Sequence, residues 1–132
     1  MEFGARLMFM LRSPSDAYDR VALDARIAGS DARQLTGVCL DHAIESLGRA
    51  LAADKSGSFS NRSQALGLCL NALSALALGI DRQHPMAAIL SDFYEGMQIS
   101  VAQAVRSFSR ETVEKARGDL VDVATAMTAA QT

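Results

Sequence analysis

The chain has 132 residues, enough for one domain with a real core and too few for two. A formal net charge of -2 leaves no basic field to attract phosphate backbones or anionic lipids, so neither nucleic acid nor an anionic membrane surface is an expected partner. Hydrophobic residues make up 49%, but aromatics only 5%, with no Trp and two prolines, a balance that suits close helix packing rather than strands.

The N-terminal Met1 to Leu11 is apolar but lacks the longer uninterrupted core and small-residue cleavage site of a secretory signal. Residues 1–12 are expected as a flexible arm and 13–132 as a single helical domain. A first short helix opens at Ser13-Pro14-Ser15-Asp16, where Ser13 can cap and Pro14 suits the first helical position, and it stops at Gly29. Its apolar stripe is thin, with Tyr18, Val21, Ala25 and Ala28 set among acids and arginines, so little burial holds it down.

A second helix begins at Asp31, with Gln34 in capping-box spacing, and runs to about Asp54. Leu40, Ile44, Leu47 and Leu51 recur at steps of four and three along one face, widened at its start by Leu35, Val38 and Cys39. Lys55 to Phe59 reads as a loop, and Ser60 offers a cap for the third helix. That helix holds an 18-residue run, Ser63 to Ile80, without one charged side chain. A membrane span needs about 20 predominantly apolar residues, whereas this run is flecked with Ser63, Gln64, Asn71 and Ser74. It is therefore expected as the central helix of a bundle, apolar on both sides.

Pro85 is expected to restart a fourth helix, in which Met86, Ile89, Leu90, Phe93, Met97, Val101 and Val105 follow the helical period. Ser109 and Glu111 then suit the cap and first turn of a last helix, with Val113, Ala116, Leu120, Ala124 and Met127 inward. No segment alternates at period two, and no repeat of 20 to 50 residues is visible. The expected product is all-α, an antiparallel up-and-down four-helix bundle with a short additional N-terminal helix.

Chemical signatures are sparse. His42 and His84 belong to no ligand cluster, and Asp41 beside His42 points about 100° away from it on a helix. Cys39 and Cys69 lie in apolar helical stretches, where a thiol behaves as a small hydrophobe in a reducing cytoplasm. Reflecting the chain about a loop near Gly57 leaves them several residues out of step, so no disulfide is expected. The glycines form no nucleotide fingerprint. No catalytic residue, cofactor or metal is assigned. Six methionines and two broadly apolar helices suit adaptable peptide binding as well as core filling, and the pattern does not separate the two. Three classes stay open on the residues alone: a binding protein for an amphipathic segment, a structural or regulatory bundle that self-associates, and a small all-α enzyme.

At Gly29-Ser30-Asp31-Ala32-Arg33-Gln34-Leu35, then Cys39-Leu40-Asp41-His42-Ala43-Ile44, the chain resembles the FliS family of flagellin-specific export chaperones, whose pattern runs T-A-S-P-x-x-L and L-Y-D-G-A-I. Leu90-Ser91-Asp92-Phe93-Tyr94-Glu95-Gly96-Met97, then Val101 and Ala104, looks like that family's L-x-x-L-Y-D-Y-M block. The spacing agrees without a gap over each block, and the resemblance covers roughly Tyr18 to Met127. Departures are Ala32 at the usual proline, Leu40 at a tyrosine, His42 at a glycine, Gly96 at an aromatic, Val105 at an asparagine, and no late tryptophan.

The resemblance implies a cytoplasmic chaperone that binds the disordered C-terminal segment of flagellin in an apolar groove, blocks premature polymerisation and serves flagellar type III secretion. It implies no catalysis, cofactor, nucleic acid or membrane insertion; the export apparatus is a further expected partner, and homodimerisation stays open. On this reading the groove takes Leu35, Val38, Asp41, Ile44 and Leu47 from the second helix, and Phe93, Tyr94, Met97 and Val101 from the fourth. Tyr18 and Val21 of the first helix are then expected to cover it until cargo arrives.

Overall fold

A computed structural model describes residues 32–130, which form four α-helices: α1 (Ala32–Ser56), α2 (Phe59–Leu78), α3 (Ala87–Arg106) and α4 (Arg110–Ala130). Among the described residues there is no strand. The four correspond to the second through fifth helices expected from the sequence. The first, with its Ser13 cap, and the Asp31 cap of the second lie outside the described residues.

The turn between α1 and α2 is set by one glycine. Gly57 adopts φ +79°, the left-handed conformation that L side chains avoid. This reversal lets Gly57 N–H donate to Asp54 O at 3.1 Å and Ser58 N–H to Ala53 O at 2.9 Å, closing the last carbonyls of α1. The chain leaves the turn early enough for Ser58, not the expected Ser60, to cap α2, its hydroxyl accepting from Asn61 N–H at 3.4 Å. Gly57→Ala should therefore cost roughly 1–2 kcal/mol, the strain of an L residue at that backbone angle, read as a lowered urea midpoint with unchanged slope.

α3 also begins later than expected. Pro85 sits in an exposed turn where Asp81 Oδ1 accepts from Gln83 N–H and His84 Nδ1 from Met86 N–H, and the helix opens at Ala87. The start of α4 is as read: Ser109 Oγ accepts from Thr112 N–H at 3.3 Å, with Glu111 in the first turn.

Each helix packs against two others, α1 on α2 and α4, and α3 on α2 and α4, so that the four close into a ring. α2, uncharged beyond Arg62, buries Ala65, Leu66, Leu68, Cys69, Ala72, Leu73, Ala75 and Leu76, a width its amphipathic neighbours do not need. Leu40 and Leu47 of α1, Leu66 and Leu73 of α2, Val101 of α3 and Leu120 of α4 are the heart of the core. One end of the ring is stapled. Asp54 Oδ1 receives Arg62 Nη1 at 2.9 Å, and Arg110 Nε stands 3.6 Å from Asp54 Oδ2. The Arg62 guanidinium lies between the rings of Phe59 at 4.7 Å and Phe108 at 4.5 Å, and Arg110 Nη2 donates to Leu51 O at 2.8 Å.

Candidate functional site

The nine described residues expected in the groove separate by depth. Val38 is 37% exposed, Asp41 is exposed, and Ile44 and Phe93 are half-buried. Leu35, Leu47, Tyr94, Met97 and Val101 are buried in the core and present little or no surface in this conformation. In this conformation the five lie inside the ring, and helical geometry supplies the reason. At about 100° per residue, Tyr94 and Val101 stand roughly 60° and 40° from Met97 on the same side, which makes them the middle of the α3 stripe. Ile89 and Val105, eight residues either side of Met97, lie about 80° off it in opposite senses. These stripe edges are the exposed positions, at 61% and 40%.

Apart from Val38, the large apolar side chains on the surface are others than those assigned. Phe59, Leu78, Met86, Ile89 and Ile99 are all exposed. Met86 is exposed because the helix starts one residue after it. Phe59 carried no sequence signal beyond its place three residues before Arg62, the cation it stacks on.

Polar chemistry is thin around this surface. The Phe93 and Tyr94 rings meet edge to face with centroids 5.7 Å apart. Burial pushes the Tyr94 hydroxyl up to about 12, with Cys39 adding to the effect. Burial likewise raises the free thiols of Cys39 and Cys69 to about 12. It holds the His42 imidazole below its ordinary value, a loss only partly offset by Glu45. Among the described residues no group of three or more His, Cys, Asp or Glu could hold a metal ion. Nor is any described helix long and apolar enough to cross a membrane.

The raised thiol and phenol values carry a pH dependence. The folded chain keeps three protons that the unfolded chain releases from ordinary values of 9.0 and 10.0. Their contribution to stability should therefore be constant below about pH 8 and be lost as pH rises from 9 towards 12, because the unfolded state then binds fewer protons. Urea midpoints across that range check it; a midpoint that rises with alkalinity would contradict the burial of these groups.

A ring of helices that leaves apolar side chains on its surface has the character of a binding protein for an apolar partner segment. The family model described as flagellar protein FliS matches residues 14–131, and the chain belongs to that family. No curated protein matches the chain. FliS proteins are flagellar export chaperones, not enzymes, and their partners are flagellin and flagellar export components.

Proposed function

We propose that this protein binds the disordered C-terminal segment of flagellin in the cytoplasm, keeps it from polymerising early and delivers it to the flagellar type III export apparatus. The family match over residues 14–131 is the observation that carries this reading. The physical mode is helix-in-groove recognition, in which an amphipathic segment orders on an apolar face and gives up chain entropy as it does so. On this proposal the ring of α1 to α4 is the antiparallel up-and-down four-helix bundle, carrying a short helix before α1. Residues 13–132 then form the domain and 1–12 a flexible arm.

The cargo surface belongs to α1 and α3. Val38, Asp41, Ile44 and Phe93 offer the first contacts, since they reach the surface. Leu35, Leu47, Tyr94, Met97 and Val101 join only where an overlying element moves away, because they are buried in the ring. Tyr18 and Val21, which lie outside the described residues, fit such a cover.

A peptide from the C-terminus of the same organism's flagellin tests the reading by titration. Saturable binding with a gain of helical circular dichroism is expected. No binding at high micromolar peptide would overturn it. Val38→Asp, at an exposed position, should weaken the complex while leaving the unfolding transition in place, as surface substitutions usually shift stability by less than about 0.5 kcal/mol.

A further inference from the structure

Among the described residues nothing covers one face of α3. Ala87, Tyr94 and Val101, seven residues apart, are buried and hold this helix to the core. The opposite stripe runs Ile89, Asp92, Gly96, Ile99, Gln103 and Arg106, at alternating steps of three and four, and every one of the six is exposed. Ile89 and Ile99 are 61% and 55% exposed. That spacing is the one by which a helix meets a second helix along its length.

The charges of the stripe match a second copy of itself run the other way. Asp92 lies near its start and Arg106 at its end, and among the described residues neither meets an opposite charge. Two such faces set parallel would put Asp92 on Asp92 and Arg106 on Arg106. Set antiparallel, with Ile99 of each copy over Gly96 of the other, they bring Asp92 within three residues of the partner's Arg106, about 4.5 Å along the axis and inside the reach of a guanidinium. Ile89 then lies against the aliphatic stem of that same arginine. Gly96 is the seat the pairing needs. A Cβ there would meet nothing within 4 Å, so packing inside the chain does not require glycine, and the family pattern carries an aromatic at this position.

We propose that two copies of this protein pair through the outer face of α3, antiparallel about a two-fold axis between Gly96 and Ile99, each isoleucine seated on the partner's glycine and each Asp92 facing the partner's Arg106. The two-fold axis makes both contacts twice. The stripe is about 26 Å long and one helix wide, well short of the roughly 800 Å² per partner of a standard interface, so the dimer is weak and fills only at high concentration. The pairing does not rest on the function proposed above, since none of the side chains assigned to cargo belongs to the stripe.

Sedimentation velocity of the full chain, from about 10 μM to about 1 mM, should show a reversible monomer–dimer equilibrium. Asp92→Arg or Arg106→Asp alone should weaken the dimer roughly tenfold, because each turns two attractions into two repulsions, and the Asp92→Arg/Arg106→Asp double variant should restore it. Gly96→Tyr should weaken it at least as much by filling the seat of Ile99. These positions are exposed, so each variant should keep the parent's circular dichroism and melting transition. A chain that stays monomeric to the top of that range, a dimer that none of the single variants weakens, or a double variant no tighter than the singles would each overturn the pairing. So would a flagellin C-terminal peptide that binds the parent but not Gly96→Tyr, which would make the stripe a cargo surface instead.

Discussion

Val101→Asp should abolish the folded state rather than weaken a partner's grip. The side chain is 1% exposed and belongs to the central cluster. A carboxylate there loses its water, and Asp54, the acid that Arg62 and Arg110 serve, already occupies the charged end of the ring. An unpaired buried charge of this kind costs several kcal/mol, against the 5–15 kcal/mol that a domain has in total. The substitution also removes the apolar contacts of a valine. Circular dichroism should show the helical signal lost, or melting without a cooperative transition. Val105→Asp, one turn on and 40% exposed, should change the midpoint by less than about 0.5 kcal/mol. A Val101→Asp protein that melts like the parent would mean that α3 presents a different face from the one described.

Leu73→Ala should remove about 3–5 kcal/mol. Leu73 is 0% exposed on α2, the helix that packs against both α1 and α3, so truncation leaves a cavity bounded by two partners that can relax only in part. Leu78→Ala on the same helix makes the control, because Leu78 is 54% exposed and its truncation opens no void. A chemical melt of the two proteins reads the difference directly. Equal losses would contradict the asymmetric burial of α2, and with it the argument that its uncharged length exists to meet neighbours on more than one side.

Most of the fold was legible in the chain. Apolar residues at steps of three and four named each of the four described helices, and the cap at Ser109 lay where it was read. The misplacements were local. Ser60 and Pro85 are acceptable helix starts by residue type, yet Ser58 and Ala87 mark the starts, because the left-handed turn at Gly57 and the Asp81–His84 turn set where the chain becomes free to coil. Turn geometry depends on a backbone angle, and residue preference reports that only loosely.

The candidate site was less legible. Tyr94, Met97 and Val101 are groove residues only by the resemblance, and Met97 and Val101 fall in a regular apolar stripe, which is the mark of a core as much as of a groove. The Asp54, Arg62, Phe108 and Arg110 staple joins residues up to 56 positions apart in sequence, and no spacing rule connects them.

Helical class, the number and order of helices within 32–130, and family membership all follow from the order of residues along the chain, since periodicity and block motifs are local properties read over a few turns. Depth is not local. Which apolar side chains are core and which remain for a partner depends on the rotation of each helix against two neighbours, and a rotation of some 80° exchanges Ile89 or Val105 with Met97 while the periodic pattern stays the same.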